Sequence, residues 1–127
     1  MTTKNENEIN VNGVTYIKKG SAVKMAAKKN KPIVLIRSYA AGVHFGYLEK
    51  EEFTASGKVV VLSDTRRIHY WDGAASLSQL ALEGVKAPEN CRITVSLPSN
   101  EIVNVIETIP MTDEAAKNLM EIEPWKK

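Results

Sequence analysis

Apolar and polar residues alternate through Ile9-Asn10-Val11-Asn12-Gly13-Val14-Thr15-Tyr16-Ile17, with Asn12-Gly13 at the centre of the run. That dipeptide readily supplies the two positive φ angles of a tight turn, so the run predicts a small β-hairpin. The rhythm then lengthens. Ala22, Val23, Ala26 and Ala27 share one face of a helix with Lys24 and Lys28 pointing outward, and Ser21 can cap it. A short helix is predicted over 21–30, ending near Asn30 and Pro32. From Ile33 the pattern is β. Ile33-Val34-Leu35-Ile36 is a compact apolar run, and Val43, Phe45 and Tyr47 alternate with His44 and Gly46. Val59-Val60-Val61-Leu62 follows the break at Gly57, and Arg67-Ile68-His69-Tyr70-Trp71 forms a further extended segment.

Ser76-Leu77-Ser78-Gln79 has the form of a capping box, in which the serine hydroxyl accepts from the third helical amide while the glutamine reaches back. Leu77, Leu80 and Ala81 then lie on one face, and Gly84 can close this second helix. Strands are predicted over 92–97 and 101–107, joined as a hairpin across Pro98-Ser99-Asn100. Thr112 with Asp113 and Glu114 caps a last helix whose buried stripe is Ala115, Ala116, Leu119 and Met120, and Pro124 stops it. The fold class expected is α+β: a curled antiparallel β-sheet, or a small partly open barrel, with two or three short helices. One domain over 9–125 is expected to follow a flexible polar tail over 1–8.

Composition narrows the picture. Of 127 residues, 43% are hydrophobic and 25% charged, which supplies enough apolar surface to offset the cost of ordering the chain. A formal charge of +2 is too small for the dense basic surface of a general nucleic-acid binder, although a local stacking groove stays compatible with it. The total hides an asymmetry. Residues 1–31 hold seven lysines against Glu6 and Glu8, whereas 101–127 hold three lysines against six acids. Cys91 is the only cysteine, so no intramolecular disulfide and no multi-cysteine zinc site is expected. That usage, with no apolar leader over 1–8, points to the cytoplasm; no apolar run approaches the roughly 18 residues that span a bilayer, so no membrane role is expected.

The residues richest in chemistry are Arg66-Arg67-Ile68-His69-Tyr70-Trp71-Asp72. Strict strand alternation turns Arg67, His69 and Trp71 to one side and Ile68 and Tyr70 to the other. A guanidinium, an imidazole and an indole together suit an anion carrying an aromatic ring. Arg37 and His44 on the preceding strands are expected to converge there. The candidate ligand-binding set is therefore Arg37, His44, Arg66, Arg67, His69, Tyr70 and Trp71. In the competing reading Trp71 packs against the short helix and the arginines pair with Asp64 and Asp72.

Other candidates are weaker. His44, His69 and Cys91 lack the spacing of a metal set, and Cys91 reads as a small buried residue, so neither metal nor cofactor is expected. Glu49, Glu51 and Glu52 read as solvated carboxylates in a polar loop, and Gly42 and Gly46 as points of bending or close strand approach. Lys24, Lys28 and Lys29 read as a solvated face. No nucleophile, base and orienting group can be placed together, which favours binding over catalysis.

The segments over 33–48, 59–64, 66–82 and 91–95, with Trp71-Asp72-Gly73-Ala74-Ala75-Ser76-Leu77 and Gly84-Val85 as their most specific parts, resemble a family of small tailed-bacteriophage proteins. The resemblance extends through Ile109-Pro110 to Pro124-Trp125. It implies a phage-encoded accessory protein expressed inside a bacterial host cell and carries over no catalytic residue; similar sequences hold an aromatic residue at position 69. A looser likeness joins Gly42-Val43-His44-Phe45-Gly46-Tyr47-Leu48 and Val59-Val60-Val61-Leu62-Ser63-Asp64 to the strand rhythm of Sm-like small barrels. Those barrels commonly form rings and bind RNA or nucleotides, which implies a homo-oligomer. The function expected first is non-enzymatic binding of a nucleotide or other anionic small molecule, sequestering a host-defence signal. The alternative is an interaction module that binds a host protein, or a small virion component.

Overall fold

The computed structural model describes residues 8–11, 14–17, 27–28 and 30–126, with side chains from Asn30 onward. β1 (Glu8–Val11) and β2 (Val14–Ile17) pair antiparallel with Val11 opposite Val14, the register that a two-residue connection demands. The hairpin follows the sequence; Asn12 and Gly13 themselves lie outside the described residues. The helix predicted over 21–30 is corrected at its end. Ala27–Lys28 is a strand, β3, paired with Pro32 and Lys31 of β4 around Asn30 at φ 67°. The rest of that expected helix lies outside the described residues.

β4 (Lys31–Ser38), β5 (Gly42–Thr54) and β6 (Gly57–Tyr70) form an antiparallel meander. β7 (Arg92–Ile93) and β8 (Leu97–Ile102) both pair with β6, at its two ends, and β9 (Val105–Pro110) pairs with the far side of β4. The hairpin predicted across 98–100 is therefore a correction. Pro98, Ser99 and Asn100 lie inside β8, and the turn falls at Val103 and Asn104, where Asn104 takes φ 55°. Pro98 is tolerated because β8 is an edge strand that pairs only with β6 among the described residues.

Only two residues separate β8 on one margin of the sheet from β9 on the other, and this connection obliges the sheet to curl. Inside the curl Val34, Ile36, Val60, Leu62, Ile102 and Val105 are buried together. The outer face carries the second core, where α1 (Leu77–Glu83) and α2 (Asp113–Met120) cover Ile33, Leu35, Phe45, Ile68 and Ile93. β4 is thus buried on both faces, which is why Ile33 to Ile36 reads as an unbroken apolar run.

Both helices start as their caps predict. Ser76 Oγ accepts from Gln79 N at 3.1 Å while Gln79 Oε1 reaches back to Ala75 N at 2.8 Å. Thr112 Oγ1 accepts from Ala115 N and donates to Leu82 O at 2.8 Å, tying the start of α2 to the end of α1. Asn118 of α2 bonds both the N–H and the C=O of Val85, so the two helices form one layer. Among the described residues no helix is long and apolar enough to cross a membrane.

Three register shifts decide what β5 and β6 present. One lies between Phe45 and Tyr47 opposite Arg66 and Ser63, where β6 gains a residue and Asp64 takes φ 46°. Before that bulge Val60 and Leu62 point into the curl; after it Arg66 and Ile68 point to the helices. Gly46 faces Thr65 across this bulge, and a Cβ there would meet Thr65 Cβ at 2.8 Å and Ser63 O at 2.9 Å. The close strand approach expected of Gly46 is what the backbone requires.

Candidate functional site

The geometry expected around position 70 is overturned by one extra residue. Ile68 pairs with Ile93 but Tyr70, not His69, pairs with Arg92, so β6 bulges against β7. Alternation is broken there, leaving His69 and Tyr70 both exposed and turning Trp71 inward. The Trp71 indole packs on the outer core beside Ala74 and Leu77, and its Nε1 donates to Ala74 O at 3.1 Å. This is the competing reading for Trp71, packing against the short helix.

The arginines do not converge. Arg66 is buried, with Nε donating to Thr94 O at 2.7 Å and Nη1 to Leu119 O and Met120 O at 3.1 and 3.2 Å. Its Nη2 reaches Ile93 O at 3.4 Å. The side chain thus caps the carboxyl end of α2 and pins it to the sheet. Burial lowers its pKa from the ordinary arginine value, and Glu123 opposes the shift. Arg37 lies opposite Val43, on the sheet face away from Arg67, where its Nε meets Glu107 Oε1 at 3.0 Å. Arg67 stands across from His44, with its guanidinium close over Gly42.

His44 is buried, and its Nε2 lies 2.9 Å from Ala41 O, the geometry of an imidazole N–H donating to a carbonyl. Desolvation pushes its pKa below the ordinary 6.5; the Ala41 carbonyl opposes this and the Arg67 charge adds to it. The unfolded chain therefore binds a proton below about pH 6.5 that the folded chain resists, and stability falls as pH drops through that value. We predict that His44→Gln flattens the stability difference between about pH 6.5 and 5, where an ordinary histidine titrates. Urea midpoints at several pH values measure this, and parallel profiles for the two proteins would refute it.

What the fold brings together instead is His69, Tyr70, Arg92 and Trp125. The His69 and Trp125 rings meet edge-on at 5.2 Å and 66°, and the Arg92 guanidinium lies over the indole at 5.4 Å. Arg92 pairs with Tyr70 across the strands, and Trp125 N donates to Ile93 O at 2.8 Å, which lays the carboxyl-terminal segment along β7. Trp125 keeps 44% of its surface exposed and Tyr70 53%. Neither Arg92 nor Trp125 stands in the sequence-derived set. Trp125 lies just past the proline that follows α2, and no local pattern signals that its segment returns to β6 and β7.

Next to this cluster is a cleft of about 400 Å³ lined by Pro88, Glu89, Cys91, Asn118, Glu121, Ile122 and Glu123. Three of those side chains are carboxylates, which oppose an anionic occupant. The carboxylates read as a polar loop, Glu49, Glu51 and Glu52, lie within β5. They meet Lys31, Lys58 and Lys50 respectively. Among the described residues no group of histidine, cysteine and carboxylate side chains is placed to hold a metal ion. Cys91 is half-buried, and its sulfur accepts from Asp72 N at 3.4 Å.

A family model described as "Domain of unknown function (DUF6948)" matches residues 31–119, and the chain belongs to that family. The match covers the β4–β9 sheet and nearly all of α2 and stops short of Trp125. No curated protein and no solved structure matches the chain.

Proposed function

We propose that the protein is a non-catalytic interaction module that binds a protein partner through the surface formed by Trp125, Arg92, His69 and Tyr70. The observation that carries this reading is the exposed Trp125 indole in contact with both the His69 ring and the Arg92 guanidinium. Exposed tryptophan, tyrosine and arginine are the side chains that dominate protein interfaces, because they bury large area with little rotamer entropy lost. The other reading, an anionic ligand met by Arg37, Arg67, His69 and Trp71 on one strand surface, has less support. Arg66 is committed to carbonyls, Arg37 to Glu107 and Trp71 to the core, and the neighbouring cleft is acidic.

In the bacteriophage setting that the resemblance implies, the partner is a host protein or a virion component, and an anti-defence role takes the form of inhibiting that protein. A homo-oligomer of small-barrel type is the case in which the partner is a second copy. Capture from infected cells with the wild-type chain and with Trp125→Ala tests the reading. One stoichiometric partner is expected, with affinity falling about 30-fold or more in the variant, the cost of truncating an interface anchor. Calorimetry against linear and cyclic nucleotides is expected to show no heat of binding at micromolar concentration. Tight nucleotide binding, or equal capture by both chains, would sink the proposal.

A further inference from the structure

The geometry points to a carboxylate on the partner protein as the group that Arg92 and His69 recognise, with Trp125 as the plate that orders them; this rests on the interaction surface just proposed. The Arg92 guanidinium lies over the indole at 5.4 Å, a contact that leaves its N–H donors available, and a carboxylate can take two of them at once. Among the described residues no hydrogen bond or salt bridge engages the Arg92 guanidinium; its contact is with the Trp125 ring. Arg37 and Lys31, by contrast, are paired with Glu107 and Glu49. His69 meets the same indole edge-on at 5.2 Å, and its ring contact among the described residues is with that indole. Two cationic or proton-donating groups are therefore held at fixed places about one ring.

The cluster is framed by charge. Glu121 and Glu123 line the cleft that begins beside Cys91, one residue before Arg92. A long acidic run would meet those carboxylates as well as Arg92. The segment that fits carries one or two acidic residues at the point of contact, with apolar or basic neighbours toward the cleft.

The two tryptophans make the test specific, because Trp71 is inside and Trp125 is exposed. The full chain, isotopically labelled, is titrated to millimolar concentration with N-acetyl-glutamate methylamide, with its glutamine counterpart and with inorganic phosphate. The expected result is a shift of the Trp125 indole N–H resonance and of the His69 ring with the glutamate compound, smaller by several fold with glutamine. The Trp71 indole resonance stays in place. Arg92→Gln is expected to abolish the response while leaving the Trp71 resonance unchanged, which shows that the variant is folded. Equal responses to glutamate and glutamine compounds, a response to phosphate alone, or an undiminished response in Arg92→Gln would overturn the inference. If capture of a partner is lost with Trp125→Ala but unaffected by Arg92→Gln, the surface stands and the carboxylate falls. If Trp125→Ala captures as wild type does, the surface itself falls.

Discussion

Replacing Arg66 with methionine is expected to cost about 2–4 kcal/mol of stability, a large share of what holds a domain of this size together. The magnitude follows from where each carbonyl is left. Ile93 O still receives Trp125 N, and Leu119 O still receives Ile122 N at 3.4 Å. Thr94 O and Met120 O lose the donors found for them among the described residues, at 2.7 and 3.2 Å. Both acceptors are part-buried, so each one stranded costs toward the lower end of about 1–3 kcal/mol, to which the lost packing of the guanidinium stem adds and from which apolar contacts of the methionine subtract. Lysine retains the charge but has one point of attachment where the guanidinium fork has three nitrogens, so Arg66→Lys is expected to fall between wild type and methionine. For a urea slope of about 1–2 kcal/mol per molar, the methionine midpoint drops by roughly 1–4 M. Coincident unfolding curves would mean that α2 is held by its apolar face alone.

The same substitution bears on the candidate surface. Trp125 follows α2 by a few residues, and Arg66 is what ties the end of that helix to Thr94 and Ile93. Loosening the tie frees the indole from its place against β7, so Arg66→Met is also expected to weaken partner capture without removing any contact residue.

Gly73→Ala is the second change with a large expected effect, a loss of about 2–4 kcal/mol. Gly73 takes φ +98°, a conformation costing an L-residue about 1–2 kcal/mol. A Cβ there would also lie 2.5 Å from Lys86 N and 2.6 Å from Ala87 N, which are backbone atoms that cannot rotate away. Relief means moving the loop after α1, and with it the Lys86 N to Gly73 O bond of 3.2 Å. Gly57→Ala is the control. Its φ is also positive, at +133°, but the nearest obstacle is the Asn104 side-chain oxygen at 3.0 Å, which can rotate. Thermal unfolding of both variants is expected to show the smaller drop for Gly57→Ala; equal drops would show that backbone torsion alone sets the cost and that the Lys86 contact adds nothing.

Much of the fold was legible along the chain. The pairing of β1 with β2, the strands around Leu35, Phe45 and Val60, and the caps at Ser76 and Thr112 all stand where hydrophobic period and local chemistry put them. The hairpin expected across Pro98-Ser99-Asn100 failed because turn-forming residues are equally at home in an edge strand, where a missing N–H breaks no ladder. The candidate site was less legible. His69 and Tyr70 are exposed, but Trp71, Arg66 and Arg37 are committed elsewhere, and His44 with Arg67 forms a separate pair. The period-2 argument assumed an unbroken ladder, and one inserted residue inverts every face beyond it.

Local physics settled what depends on neighbours within a turn or two: which runs extend, and which serine or threonine starts a helix. Pairing partners, and with them bulges, are settled between strands far apart in sequence, so only the folded sheet decided that Trp71 turns inward while His69 and Tyr70 both stay exposed. The meeting of His69 with Trp125 is of that second kind. It exists because α2 is pinned by Arg66 and the segment after it is laid along β7, a convergence across 56 positions that no local pattern of side chains encodes.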